Sequence, residues 1–427
     1  MAKPQSRVVI GIGSNTGDRE EALRSAIQKL RIYLQAVTVA PWVESVALLP
    51  EGAPADWDQP YCNSVAVGST DLPTIEVLPL LKKIERELGR DAQSARWSPR
   101  PIDLDLLAVD SENVQTTHLN LPHPQSLNRS FVLSPWLLLK HDQQIFGDSV
   151  LSHRRRLKIC KPLIMGIVNV TPDSFSDGGE KFFEADLIKW WEGLSLMDLP
   201  EILDLGAQST RPGATMVSVE EEILRLSRAL KVLQSRPELL DAVWLSVDTF
   251  RPQVASWAIE QGVQMINDVG GLDDIEMQKV ARASDARFVF MHQLGLPANR
   301  EQILPPSVDP VHEVLSWGRQ KINRLLDFGV ARDQLFFDPG LGFGKSAAQS
   351  WQIIKRCEEF KTLPVPVLMG HSRKSSLKSV SKTVAKYPDG ATLAVSLELA
   401  RKGVEILRVH DFANHRSAFM ADERGSI

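Results

Sequence analysis

The stretch Ile164-Met165-Gly166-Ile167-Val168-Asn169-Val170-Thr171-Pro172-Asp173-Ser174-Phe175-Ser176-Asp177-Gly178-Gly179 decides how the chain is read. Its first half is apolar and rich in β-branched residues, the composition of a strand buried on both faces. Its second half is dense in turn formers. A buried strand therefore runs out into a polar loop, with Asn169 near its C-terminal end. Parallel α/β proteins place their chemistry at that end of the strand.

Downstream, short apolar runs alternate with helical patterns. The runs are 164–170, 201–207, 243–248, 265–269, 287–291, 335–338, 365–369 and 405–409. The segments between them fit helices; in 220–233, Ile223, Leu226, Leu230 and Leu233 fall on one face. Eight strand–helix units over ~250 residues is the size of a TIM (β/α)8 barrel. The count favours a closed barrel over an open sheet.

Polar residues collect at one end of these runs. Asn169 ends the first, Asp248 the third, and Asn267 lies in the fourth. Asp338 ends the sixth, Lys374 and Ser375 follow the seventh, and Arg408 and His410 end the eighth. A buried Asp or Asn without a partner costs on the order of 2–7 kcal/mol, so something polar must meet them. Asp248, Asn267 and Asp338 suit a flat heterocycle bearing ring N–H and amino donors. Arg211, Arg373, Lys374, Arg408 and His410 suit anions. Asn169 is an uncharged oxygen, usable on Mg²⁺ already held by phosphates. Gly340-x-Gly342-x-Gly344-Lys345 is not a Walker A loop, because Pro339 occupies the required first-glycine position.

The ordered motifs N-V-T-P-D-S-F-S-D from Asn169, S-T-R-P-G from Ser209, S-V-D-T from Ser246 and I-N-D-V from Ile266 continue with D-P-G-L-G-F-G-K from Asp338, S-R-K-S from Ser372 and R-V-H-D from Arg408. Together they resemble dihydropteroate synthase across about 162–419. The resemblance implies that Asp248, Asn267, Asp338 and Lys374 hold a pterin. It implies that Asn169, Arg408 and His410 hold Mg²⁺ and diphosphate, and that Thr210, Arg211, Phe343 and Ser375 border a p-aminobenzoate site. Lys374, Arg408 and His410 take the catalytic roles in this reading, with no nucleophilic side chain. Gln208 stands where many members have Glu, and His371 where Met is common. A homodimer through the barrel is a further implication.

Before the barrel, Arg7-Val8-Val9-Ile10 reads as a strand, followed by Gly11-Ile12-Gly13-Ser14-Asn15-Thr16-Gly17-Asp18. Asp18 is placed to cap a helix over 19–33. A dinucleotide-binding reading, with Glu44 as the ribose acid, fails because the third glycine is out of register and Pro41 interrupts the second strand. A strand over 63–69 then leads to a helix opened by Pro73, which ends near Glu85 and Arg90.

Arg96-Trp97-Ser98-Pro99-Arg100-Pro101-Ile102-Asp103-Leu104-Asp105 is the informative part. With a period of two, Asp103 and Asp105 share one face of a strand. Two such carboxylates suit Mg²⁺, which takes one or two carboxylates plus phosphate oxygens. Arg90, Arg96 and Arg100 supply the forked donors that phosphates need.

This segment resembles 6-hydroxymethyl-7,8-dihydropterin pyrophosphokinase across about 7–141, an α+β ferredoxin-like fold. The resemblance implies Asp103 and Asp105 as metal ligands, and Arg90 and Arg100 as catalytic residues. It places Glu85, Trp97, His123 and Arg129 on the nucleotide side, with ATP as co-substrate. Tyr61, Asn63 and Phe131 then contact the pterin, the two rings by stacking. Ala92 stands where many members carry an arginine, and 45–58 lacks the usual T-P-x-G wording.

Composition agrees with this class. A chain of 427 residues is too long for one core. The expected division is 1–152, a solvated linker over 153–160 around the Arg154-Arg155-Arg156 run, and 161–427. The net charge of -4 gives no sign of a nucleic-acid or membrane partner. Cys62, Cys160 and Cys357 are odd in number and far apart, which fits a reducing compartment. Without an apolar leader the expectation is a cytoplasmic protein. Two other readings stay open: a methyltetrahydrofolate-using barrel methyltransferase, which has no need of S-R-K-S and a diphosphate, and an active barrel carrying a non-catalytic first domain.

Overall fold

The structure is a computed structural model that describes residues 5–91, 93–95, 97–140, 142–157, 160–170, 180–208, 216–296 and 301–425. The chain folds as two compact units, residues 1–161 together with 420–427, and residues 162–419.

The first unit is built on an antiparallel sheet of β1 (Ser6–Ser14), β2 (Gln35–Val39), β3 (Val43–Ser45), β4 (Tyr61–Thr70) and β5 (Asp103–Val109). The order is β2-β4-β1-β5, with β3 beside β4. This is the ferredoxin-like arrangement. Antiparallel neighbours on both sides of β1 exclude the dinucleotide-binding topology. Helix α1 (Arg19–Tyr33) starts where expected, since Asp18 accepts from the Glu21 N–H. Helix α2 (Thr74–Glu87) packs on β5, and α3 (Ser130–Lys140) on β4. Every residue of β1 from Val8 to Ser14 is buried, so the sheet is covered on both faces.

The glycines that suggested a nucleotide loop have another role. Gly13 lies in register with Asn63 on one side and Asp103 on the other, and Gly11 lies opposite Asp105. A Cβ on Gly13 would come within 3.1 Å of Asn63 Oδ1. The glycines thus keep the floor between these polar side chains clear.

Where a polar linker was expected, residues Val150–Arg156 form helix α4. Arg154 is buried and donates to Ser134 Oγ at 3.2 Å and to the Lys161 carbonyl at 3.3 Å. A run of three arginines read as solvated because charge is usually exposed. Here Val150, Leu151 and His153 are buried with Arg154 and draw the segment into the unit's core.

The second unit is a parallel eight-stranded barrel. Its strands are, in chain order, Leu163–Asn169, Ile202–Gly206, Trp244–Asp248, Met265–Asp268, Arg287–Met291, Leu335–Asp338, Leu368–Met369 and Ile406–Val409. The first six pair in sequence order, the eighth pairs with the first, and the seventh with the eighth. A Phe337–Val367 bridge joins the sixth strand to the segment entering the seventh. All eight expected runs are strands, within one residue at each end save the seventh, which is shorter. Among the described residues no helix is long and apolar enough to cross a membrane.

One aromatic cluster fills the barrel's sixth-strand side. The Phe337 ring lies 5.5 Å from that of Phe290 and 5.7 Å from that of Phe360, and all three are fully buried. Phe337→Ala should destabilise the barrel by about 3–5 kcal/mol. A denaturant midpoint for the barrel transition within ~1 kcal/mol of wild type would show that this side of the core collapses to fill the void.

Candidate active sites

In the first unit, Tyr61, Asn63, Trp97, Arg100, Asp103, Asp105, Arg129 and Phe131 line one open cleft of about 710 Å³ over the glycine floor. Tyr61 and Asn63 come from β4, Asp103 and Asp105 from β5, and Phe131 from the first turn of α3. These eight sequence-predicted residues are thus brought together from four segments, whereas Arg90 and His123 do not line the cleft. Trp97 is held in the left-handed region at φ 74°, a conformation that non-glycine residues adopt mainly at constrained sites.

The two carboxylates differ. Asp103 is bonded by Arg90 through Oδ1 and by Arg100 through Oδ2, the latter at 3.1 Å. Burial works against its charge, but the two arginines outweigh it and hold the carboxyl below its ordinary value. Among the described residues Asp105 pairs with Arg129, at 3.7 Å. Burial, and then the Asp103 charge, push it up. His123 is pushed down by burial, against the pull of Asp105.

Glu85 does not line the cleft. Its Oε1 accepts from the Leu104 N–H at 2.7 Å, Lys82 Nζ at 2.7 Å and Arg90 Nη1 at 2.6 Å. It therefore ties α2 to β5 and aims Arg90 at Asp103. Ala92 and Arg96 lie outside the described residues.

The donor set fits a divalent cation that brings phosphates with it. Among the described residues there is no cluster of three or more His, Cys, Asp or Glu that would cage a metal alone. Asp103 and Asp105 supply two carboxylates on one strand face, which suits Mg²⁺ completed by phosphate and water oxygens.

In the barrel, one part-buried guanidinium organises the mouth. Arg408 Nε donates to Asp204 Oδ2 at 2.6 Å, and its Nη2 donates to Asp248 Oδ2 at 2.7 Å. Asn267 Nδ2 also donates to Asp204 Oδ2, at 3.1 Å. The register places these groups side by side: Asn169 opposite Gly206, Gly206 opposite Asp248, and Asp248 opposite Asn267. Two carboxylates share one guanidinium, so the cluster carries excess negative charge. Asp248 is pushed up to about 7, by burial first, with Arg408 pulling down and Asp204 pushing up.

Asp338 accepts from the Gly340 N–H at 2.7 Å, and burial pushes its carboxyl up. Lys374 Nζ lies 4.3 Å from the centre of the Phe343 ring. Arg373, just before it, takes φ 56°, a strained turn that sets the direction of Lys374. Ser375 follows as the first residue of the helix Ser375–Lys378. His410 Nδ1 meets Ser372 Oγ at 2.9 Å, which fixes its ring.

Two readings of the sequence need amending. Arg373, grouped with the anion-binding residues, pairs with Asp389 at 2.7 and 2.9 Å on the surface. Asp204, unremarked, is the fully buried centre of the barrel cluster. The signal for it was present, a single charge in Ile202-Leu203-Asp204-Leu205, two residues before the strand end. Thr210, Arg211 and Thr171 to Gly179 lie outside the described residues.

Comparison with known proteins agrees with both halves. Residues 9–141 match the family model for 7,8-dihydro-6-hydroxymethylpterin-pyrophosphokinase, and residues 165–410 match that for pterin binding enzymes. The chain is 35% identical over 439 residues to a folate synthesis bifunctional protein of Chlamydia muridarum, covering 97% of each. It is 32% identical over 465 residues to one of Arabidopsis thaliana, covering 96% of this chain and 94% of the other. The Xanthomonas albilineans dihydropteroate synthase with 4-aminobenzoic acid is similar in structure, with a TM-score of 0.55 and 35% identity, over 62% of this chain and 93% of that one. The Anaplasma phagocytophilum dihydropteroate synthase with bound 6-hydroxymethylpterin-monophosphate gives a TM-score of 0.53 and 31% identity, over 62% of this chain and all of that one (100%). The chain belongs to the bifunctional folate-synthesis family, in which a 6-hydroxymethyl-7,8-dihydropterin pyrophosphokinase domain precedes a dihydropteroate synthase barrel.

Proposed function

We propose that the two units perform consecutive steps with the residues named above. In the first unit the hydroxymethyl oxygen of 6-hydroxymethyl-7,8-dihydropterin attacks the β-phosphorus of ATP. The bond to the α-phosphate breaks, AMP leaves, and the hydroxyl proton is lost. Tyr61 and Phe131 stack on the pterin and Asn63 bonds its edge. Arg90, Arg100 and Arg129 hold phosphates, with Trp97 and His123 beside the nucleotide. A divalent cation bound at Asp103 and Asp105 supplies charge neutralisation on the phosphates. Positioning and charge neutralisation do most of the work in such transfers.

In the barrel the bond between the pterin methylene carbon and diphosphate breaks. The arylamine of p-aminobenzoate attacks that carbon and loses a proton, giving 7,8-dihydropteroate and diphosphate. Asp248, Asn267, Asp338 and Lys374 hold the pterin. Arg408 keeps Nη1 for the departing anion while Nε and Nη2 face the carboxylates. His410 and Asn169 complete the anion site, Asn169 with an oxygen suited to a cation on the diphosphate. Thr210, Arg211, Phe343 and Ser375 border the arylamine. The observation that carries this reading is the Asp204–Arg408–Asp248 cluster at the mouth of a closed barrel. Its surplus charge calls for donors, and a pterin offers ring N–H and amino groups side by side.

Three outcomes follow from these assignments. Asp103→Ala should abolish AMP formation in the full chain yet leave condensation of supplied pterin diphosphate intact. Loss of both activities would contradict separate sites.

Asp248→Asn should weaken pterin-diphosphate binding roughly ten- to a hundredfold, since a charge-assisted pair is replaced by donor facing donor. The same change should stabilise the ligand-free barrel above neutral pH. With Asp248 near 7 in the fold and ~3.9 when unfolded, protonation contributes stability that is complete below about pH 4 and is lost as pH rises through 7. The melting advantage of the variant should grow from pH 5 to pH 8. A flat difference, or unchanged affinity, would remove Asp248 from the site.

Asp204→Leu should act in the opposite sense. It leaves Arg408 Nε and Asn267 Nδ2 without their shared acceptor, costing about 1–3 kcal/mol for each unsatisfied donor. Unchanged barrel unfolding would show that Asp248 alone suffices for Arg408.

A further inference from the structure

A second cation lies at the barrel mouth, and the chemistry above does not use it. Lys345 closes the glycine-rich loop after the sixth strand and is 5% exposed. Its Nζ lies 2.9 Å from the Gly340 carbonyl, 2.8 Å from that of Phe343 and 3.1 Å from that of His292. His292 Nδ1 is a fourth acceptor, at 2.8 Å. The amine thus faces four polar atoms, none of them a carboxylate, and burial pulls it well below the ordinary lysine value.

The backbone explains why the carbonyls converge. Gly340, Gly342 and Gly344 all take positive φ, at 69°, 77° and 69°. This succession curls the loop so that two of its carbonyls point inward at one spot. Gly340 has no alternative, since a Cβ there would lie 2.0 Å from the His292 carbonyl oxygen. Converging carbonyl dipoles repel one another unless a cation sits among them. An apolar side chain of similar length would avoid the several kcal/mol needed to desolvate an ammonium. What the ammonium adds is direction: it locks the loop after the sixth strand to His292, at the exit of the fifth. Phe343 sits inside that locked loop, with its ring against Lys374.

We propose that Lys345 is a positioning residue for the arylamine half of the condensation, holding Phe343 in place as a wall of that subsite. The inference rests on the assignment of Phe343 to the p-aminobenzoate site.

A double-mutant cycle in the full chain tests both. Wild type, Lys345→Met, Phe343→Ala and the double variant are assayed for KM and kcat with p-aminobenzoate, using supplied pterin diphosphate. Calorimetric binding of pterin diphosphate reports whether each barrel is folded. Lys345→Met should raise the p-aminobenzoate KM ~tenfold while pterin-diphosphate affinity stays within ~threefold of wild type. The double variant should be no worse than Phe343→Ala alone, because residues that act through one another are not additive. Additive effects, or an unchanged KM in Lys345→Met, would overturn the proposal. An unchanged KM in Phe343→Ala would instead overturn the assignment of Phe343. Should Lys345→Met fail to bind pterin diphosphate, His292→Ala replaces it in the cycle. That variant removes one acceptor and keeps the ammonium, with a KM rise of about two- to fivefold expected on the same non-additive pattern. Additivity there would likewise overturn the proposal.

Discussion

The barrel depends on one guanidinium shared by two carboxylates. Arg408 comes from the last strand, Asp204 from the second and Asp248 from the third, so the contact ties chain segments far apart in sequence. Asn267 of the fourth strand joins through Asp204. A cluster with two negative charges and one positive is stable in an apolar barrel only if the surplus charge is protonated or met by donors. In the proposed assignment that constraint shapes the pterin site. Before ligand arrives, a proton on Asp248 relieves it; when a flat donor-rich heterocycle arrives, its N–H groups can take the proton's place. In that assignment the same excess that would weaken an ordinary core favours a donor-rich ligand.

The first unit meets the same electrostatic problem differently. Asp103 is satisfied within the protein by Arg90 and Arg100, while Asp105 is left with a longer contact to Arg129. The arginines that suit phosphates are thus already gathered around the carboxylates. Glu85 sets their direction from behind, bonded to Arg90, Lys82 and the Leu104 backbone at once. In both units a buried carboxylate fixes a neighbouring arginine. Glu85 does this for Arg90, and Asp204 for Arg408.

Much of this was legible from residue order. Period-two spacing placed Asp103 and Asp105 on one strand face, and the apolar runs marked the barrel strands because fully buried parallel strands have no polar face to obscure them. Asp18 announced its helix through the cap it forms. What escaped reading was partner choice. Asp204 sits inside an apolar run, and nothing local says that its partner is an arginine 204 residues away. Arg373 looked like an anion ligand until Asp389 took it. Arg154 looked solvated until Ser134 and the Lys161 carbonyl surrounded it. Gly11 and Gly13 mimicked a nucleotide loop because glycine serves wherever backbone must stay uncovered, whatever approaches it. Local pattern reports burial and periodicity; the pairing of charges is settled by the closed fold.

The central claim is that Asp248 exchanges a proton for pterin donors. Calorimetric titration with pterin diphosphate at pH 7, in buffers of different ionisation enthalpy, counts the protons moved on binding. Burial pushes Asp248 up to about 7 in the free protein, so a share of the molecules holds that proton before ligand binds. Wild type should therefore release more proton than Asp248→Asn, because binding favours the ionised carboxylate. Equal proton release in the two proteins, or net uptake by wild type relative to the variant, would contradict the account.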